Sequence, residues 1–291
     1  MPELPEVETV KRGLENKLRG KKVVAVKVLR EDSVGYPTPK RFAKELVGHK
    51  FRDIVRRGKY LVFELDKGAA LGAHLRMSGR LLVLKPGGEA RSRVRDEHVR
   101  VRMELDDGNI FLFEDMRVFG RLWYVPSGTA PDDVIGGLAE LGPEPLSDDF
   151  DAEYLHEQMR NRKGPIKSAL LDQTLIAGIG NIYADESLHL AGLNPLRPAN
   201  TLTLEQVEVL VQRVKEVLAR AIEKRGSTLR NYTDSDGVNG NYQSSAYVYG
   251  REGEGCVACK SQIVRVKIAG RSAHYCPTCQ PTARAKRKPR T

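Results

Sequence analysis

Cys256, Cys259, Cys276 and Cys279 fall within twenty-four residues near the end of a 291-residue chain, which has no other cysteine. Two Cys-x2-Cys pairs separated by sixteen residues can offer Zn²⁺ four thiolates at tetrahedral geometry. Four protein ligands leave no open position for water, so the site reads as structural. Paired disulfides are the alternative, and a reducing compartment disfavours them. His274 lies close in sequence, but four cysteines already fill the shell. Between the pairs, Ile263 to Ile268 alternates like a strand, and Ala269-Gly270-Arg271-Ser272 supplies a turn. The expectation is a β-hairpin pinned by one Zn²⁺, with Arg271 at its tip. Arg271 is either a solvated side chain or one placed in a DNA groove or on a phosphate.

The formal charge of +10 and a pI near 9.4 favour a polyanionic partner through phosphate neutralisation, with nucleic acid the first candidate. Half of that excess sits in residues 280–291, where Arg284, Lys286, Arg287, Lys288 and Arg290 meet no acid. No run of about 18 apolar residues exists, and the N-terminus lacks a signal-peptide layout. The expected location is cytoplasmic, with no membrane partner.

Along the chain, Val7, Val10, Leu14 and Leu18 recur at helical steps. From about Lys22 to Pro126 the pattern turns to short β-rich runs: Val23 to Leu29, Tyr60 to Leu65, Leu81 to Leu84, Val99 to Leu105, Ile110 to Phe113 and Leu122 to Val125. Asp107-Gly108 marks a tight hairpin between two of them. Many strands behind one leading helix indicate a β-sandwich. Residues 127–149 are rich in Pro, Gly and Ser and mark a boundary. Helices then follow from about Asp149 to Arg160, from Pro165, from Ile182, and from Thr203 to Gly226, the last opened by a Thr203/Gln206 capping box. Residues 227–250 form a long polar loop, a length usually tied to function.

The expected architecture is α+β and multidomain. It comprises an N-terminal β-sandwich with a leading helix (1–130), a linker (131–149), a helical domain with a long loop (150–250), a zinc hairpin (251–280) and a basic tail (281–291).

The first ten residues, Met1-Pro2-Glu3-Leu4-Pro5-Glu6-Val7-Glu8-Thr9-Val10, have two readings. Pro2 and Pro5 can simply punctuate the start of a helix, with Glu6 and Glu8 favourable near its positive end. Alternatively, removal of Met1 exposes a secondary amine whose pKa of about 8 leaves part of it neutral and nucleophilic. Gly178 and Gly180, ahead of Asn181, likewise allow an inter-helix turn whose exposed amides bind phosphate.

This opening resembles, almost letter for letter, that of the formamidopyrimidine-DNA glycosylase family, bacterial enzymes that remove oxidised purines from DNA. The resemblance extends to about Cys279 and leaves the basic tail outside, where nonspecific DNA affinity is expected. It implies a helix-two-turn-helix domain in which Asn181, beside Lys163 and Lys167, grips the DNA backbone, and a zinc hairpin whose Arg271 meets DNA. Pro2 is implied as nucleophile, Glu3 as proton donor, Lys59 as a phosphate contact near the reaction centre and Glu6 as a helper. Met77, Arg117 and Phe119 match the trio that fills the gap left by an extruded base. Ser227, Leu229, Arg230, Asn231 and Tyr232 match a loop that closes over that base. Val118 stands where a basic residue is common, and Asn231, Tyr242 and Gly255 also depart from the usual pattern.

The implied activity is a bifunctional glycosylase and abasic-site lyase for 8-oxoguanine and formamidopyrimidines. It would act in base excision repair as a monomer on double-stranded DNA in the nucleoid, using one Zn²⁺. Two alternatives are an endonuclease VIII-like enzyme for oxidised pyrimidines and a noncatalytic zinc-dependent DNA-binding protein. Leu4 and the loop after Gly226 favour the purine branch, and Pro2, Glu3 and Lys59 favour an enzyme.

Overall fold

The computed structural model describes residues 1–85, 94–227 and 240–282, and the chain divides into two compact units. The first combines Met1–Leu141 with Ala221–Gln243, and the second combines Gly142–Arg220 with the chain from Ser244.

The first unit contains α1 (Leu4–Leu18), β1 (Val23–Val28), β2 (Val34–Tyr36), α2 (Pro39–Leu46), β3 (Phe51–Arg57), β4 (Tyr60–Leu65), β5 (Ala70–His74), β6 (Gly79–Leu84), β7 (Val99–Leu105), β8 (Ile110–Asp115), β9 (Arg121–Val125) and the four-residue helices α3 (Pro131–Val134) and α4 (Gly136–Ala139). Its strands form a four-stranded sheet, β1-β7-β8-β6, and a five-stranded sheet, β2-β9-β5-β4-β3. Their apolar faces share one core, in which Val101, Met103, Phe111 and Phe113 meet Leu61, Phe63, Leu71 and Leu122. This is the sandwich that the strand pattern predicts.

In β7 the alternation is literal: Val99, Val101, Met103 and Leu105 are buried while Glu104 is exposed. The turn after it runs one residue beyond a two-residue hairpin, because Leu105 N–H donates to Asn109 O across Asp106-Asp107-Gly108. Gly108 takes φ 79°, where a side chain would be strained.

Three strands escape sequence patterning: β2, β3 and β5, of which β2 is only three residues long. In β3 the register shifts between Phe51 and Asp53, which breaks the two-residue period. In β5 every residue of Ala70-Leu71-Gly72-Ala73-His74 is buried, so there is no wet face to alternate against.

α1 seals this core. Its Val7, Val10, Leu14 and Leu18 are all buried, and the helix packs on β3, β4 and β6.

The second unit contains α5 (Ala152–Met159), α6 (Ile166–Leu170), α7 (Asn181–Leu190), all but the last three residues of α8 (Leu204–Glu223), β10 (Val264–Ile268) and β11 (Arg271–Tyr275). The capping box at α8 forms as expected: Gln206 Oε1 accepts from Thr203 N–H at 3.2 Å and Thr203 Oγ1 from Gln206 N–H at 3.4 Å. β10 and β11 pair antiparallel, with Ile268 opposite Arg271. Ala269 and Gly270 alone make the turn, both at positive φ, so Arg271 opens β11 rather than sitting at the tip. Among the described residues no helix is long and apolar enough to cross a membrane.

Leu14 is fully buried in the α1 face. Leu14→Ala should lower unfolding stability by about 2–5 kcal/mol, read as a fall in the denaturant midpoint of the first transition.

Candidate active site and nucleic-acid interface

The chain start is held rather than frayed. Pro2 is buried, and Glu3 and Glu6 are 4% and 2% exposed. Glu3 is the N-cap of α1 and forms a reciprocal capping box with Glu6: each side chain accepts from the other's backbone N–H, with Glu3 N–H to Glu6 Oε2 at 2.8 Å. The second Glu6 oxygen accepts from Ser227 N–H at 2.7 Å. Glu6 thus connects the chain start to the entrance of the long loop. Gly226 makes that approach possible, because a Cβ there would lie 2.6 Å from Glu6 Oε1. The positive end of a fifteen-residue helix faces Pro2.

Lys59 is buried in the turn between β3 and β4, beside Gly58 at φ 55°. A residue not singled out from sequence organises this turn. Arg56 donates to Glu8 Oε2 of α1 at 3.0 Å and to Gly58 O at 3.2 Å. Burial raises the Glu8 pKa, but the guanidiniums of Arg12 and Arg56 outweigh it and hold the carboxyl below its usual value.

Met77 and Phe119 are 42% and 50% exposed, which excludes core packing for both. The Arg117 guanidinium lies 4.8 Å over the Phe119 ring. Behind the Met77 turn, His74 Nδ1 accepts from Arg76 N–H at 3.0 Å. Burial, then the charges of Arg76 and Lys59, push the His74 pKa down to about 3.

In the second unit, Asn181 opens α7 behind Gly180, and Gly178 takes φ 83°. Gln173, which sequence pattern does not mark, ties this turn together. Its Nε2 donates to Ile179 O at 2.8 Å and its Oε1 accepts from Gly178 N–H at 2.9 Å. Asn181 Oδ1 is buried and has no hydrogen-bond partner among the described residues. Lys163 is exposed, as a phosphate contact requires. Lys167 is not. It points inward, 2.6 Å from Asp185 Oδ1 and donating to Ser272 O at 2.5 Å, so it supplies no charge to the turn.

The four cysteine sulfurs lie within 4.8 Å of one another. Tetrahedral Zn–S bonds of about 2.3 Å set neighbouring sulfurs about 3.8 Å apart, and the 3.9 Å between Cys256 and Cys279 and 3.4 Å between Cys259 and Cys276 bracket that value. The donor set fits one structural Zn²⁺. Two acids of α7 fasten this module within the unit: Asp185 Oδ2 accepts from His274 N–H at 2.8 Å, and Glu186 accepts from the N–H groups of Tyr247, Val248 and Tyr249 at 2.7–2.9 Å. Gln280 adds a third tie, accepting from Cys276 N–H and donating to Leu193 O. Arg271 stays exposed beside the turn. Of the loop residues, Ser227 is buried, whereas Leu229, Arg230, Asn231 and Tyr232 lie outside the described residues.

Three family models match the chain: the formamidopyrimidine-DNA glycosylase N-terminal domain over residues 1–122, its H2TH domain over 141–233, and the zinc finger found in FPG and IleRS over 253–282. The formamidopyrimidine-DNA glycosylase of Gloeobacter violaceus is 53% identical over 282 residues, 96% of this chain and 98% of that protein. That of Pelotomaculum thermopropionicum is 45% identical, covering 96% and 99%. Among solved structures, the Lactococcus lactis enzyme bound to Fapy-dG DNA superposes with a TM-score of 0.86 at 35% identity, over 96% of this chain and all of that one. The same enzyme on abasic-site DNA gives the same values.

His74 supplies a pH test. The unfolded chain protonates it below about 6.5 and the folded chain only near 3. Its stabilising contribution is therefore complete above 6.5 and is lost as pH falls toward 3, at about 1.4 kcal/mol per pH unit. His74→Asn, which keeps an acceptor for Arg76 N–H, should flatten that limb of a plot of unfolding free energy against pH; an unchanged slope would assign the acid sensitivity elsewhere.

Proposed function

The chain belongs to the formamidopyrimidine-DNA glycosylase family, and we propose that a Pro2 nitrogen freed of Met1 is the nucleophile with which it works. The protein is a DNA glycosylase that excises oxidised purines in base excision repair, with the abasic-site lyase activity of its family. The observation that carries the residue assignment is the buried capping box. It fixes Pro2 and Glu3 together at the positive end of α1, where a free terminus would otherwise fray.

The target base is extruded from the duplex, and Met77, Arg117 and Phe119 occupy the gap. Their exposure in two neighbouring turns supports this role. The neutral Pro2 nitrogen then attacks C1′ of the deoxyribose. The N–C1′ bond forms, the glycosidic bond breaks with the base taking up the proton that the Pro2 nitrogen gives up, and Glu3 gives a proton to the ring oxygen as the sugar opens. Because Pro2 is a secondary amine, the adduct is a cationic iminium. This electron sink acidifies the C2′ proton, and β- then δ-elimination expel the two phosphates, leaving phosphorylated ends. Glu6 positions Glu3, and Lys59 sets the local field and binds phosphate.

Asn181, Lys163 and Arg271 hold the DNA backbone, and the loop from Ser227 through Leu229, Arg230, Asn231 and Tyr232 closes on the extruded base. Zn²⁺ serves structure alone, rigidifying the hairpin that carries Arg271. The working form is a cytoplasmic monomer on double-stranded DNA. A second reading, action on oxidised pyrimidines as well, draws support from a Lactococcus lactis relative solved with oxidised-pyrimidine DNA at a TM-score of 0.86.

Borohydride added during turnover of an 8-oxoguanine duplex should trap a covalent complex. Pro2→Gly should abolish trapping, and Glu3→Gln should slow base release by about 10²–10⁴-fold. Full trapping by Pro2→Gly would refute the nucleophile assignment.

A further inference from the structure

Met77 and Phe119 belong to different connections. The first lies between β5 and β6, the second between β8 and β9, and each connection passes from one sheet of the sandwich to the other. Side chains on separate turns can act as one wedge only if something fixes the turns to each other. The first unit contains such a device, centred on Asp115.

Asp115 ends β8 opposite Gly79 and is completely buried. Its Oδ1 accepts from Ser78 Oγ–H at 2.5 Å and from Arg117 N–H at 3.1 Å, and its Oδ2 accepts from Gly120 N–H at 2.7 Å. Ser78 Oγ also accepts from Arg117 N–H at 3.1 Å, and Arg100 Nε donates to the Asp115 carbonyl at 2.6 Å. One carboxylate therefore holds the residue after Met77 and the residues either side of the Val118-Phe119 pair.

Packing leaves these turns little freedom. A Cβ on Gly79 would lie 2.5 Å from Leu75 O, and one on Gly120 would lie 2.6 Å from the Phe113 ring and 3.1 Å from Asp115 Oδ2. Val118 is held at φ 57°, a conformation that β-branched residues rarely adopt, and Arg121 Nη1 donates to its carbonyl at 3.0 Å. Strain of this kind persists only where the surroundings over-determine it. Here it places Phe119 outward with Arg117 stacked upon it.

We infer that Asp115, through Ser78 and the backbone of Arg117 and Gly120, is a positioning residue that locks the Met77 and Arg117–Phe119 turns into one preset wedge, and so governs base extrusion and partner-base discrimination rather than the lyase chemistry. The inference rests on the gap-filling role given to Met77, Arg117 and Phe119. A wedge loosened by an ångström should cost most where a stacked base must be displaced. At an abasic site there is no base to extrude.

The test compares full-length Asp115→Asn and Ser78→Ala with the parent on two duplexes, one with 8-oxoguanine and one with a preformed abasic site, each opposite all four bases. Asn keeps the shape but turns an amide donor toward N–H and O–H donors, and Ser78→Ala removes one hydroxyl should Asp115→Asn fold poorly. Base excision should fall on the order of tenfold more than strand cleavage at the abasic site, with partner-base preference flattened, and Ser78→Ala should shift both readouts in the same direction by less. Equal loss on both duplexes, or no loss on either, would overturn the inference. Parent enzyme inactive on both would instead refute the glycosylase reading on which it stands.

Discussion

The Glu6 carboxylate is the interaction on which the rest of the site depends. It is 2% exposed, and its two oxygens accept from Glu3 N–H and Ser227 N–H, residues at opposite ends of the first unit's sequence. Hydrogen bonds to a buried charged group contribute about 1.5–3 kcal/mol each, and leaving a partner unsatisfied costs more. The chain start and the loop entrance therefore share one anchor. The cost appears in sequence as Gly226, at φ 75° with no room for a Cβ against Glu6. A nucleophile at a chain terminus would otherwise pay a large ordering entropy in every catalytic cycle.

The second unit uses the same means around α7. Asn181 begins this helix, and Asp185 and Glu186, one turn later, bind the backbone of the zinc module and of the segment leading into it. A single helix thus follows the Gly178–Gly180 turn and fixes the hairpin bearing Arg271. Zn²⁺ closes the hairpin, while Asp185, Glu186 and Gln280 orient it. In both units buried acids bonded to backbone N–H groups do the positioning, while the basic side chains Lys163 and Arg271 are exposed. The net charge of +10 is consistent with that division.

Much of this was legible in residue order, and what was not has physical causes. Helical and strand periods marked α1, α8 and β7, because each buries one face. Cysteine spacing marked the zinc site, because ligand geometry ties sequence to structure directly. β3 and β5 stayed hidden, the first behind a register shift and the second because both its faces are buried. Lys167 looked like another basic contact; its partner Asp185 lies on the next helix, and no local pattern reports such a pairing. The exposure of Met77 and Phe119 was likewise invisible to hydropathy, which assigns both to a core. The Asp115 network joins two turns nearly forty residues apart in sequence, so only the fold brings it into view.

On the reading proposed above, the N-terminal nitrogen, positioned by the Glu3 and Glu6 capping box, forms the covalent intermediate. The direct measurement is the site of attachment. After reduction of the complex with lesion DNA, proteolysis and mass spectrometry should locate the deoxyribose remnant on the N-terminal peptide beginning at Pro2, with Met1 absent. A remnant on Lys59 or any other lysine side chain, with Pro2 unmodified, would contradict the account.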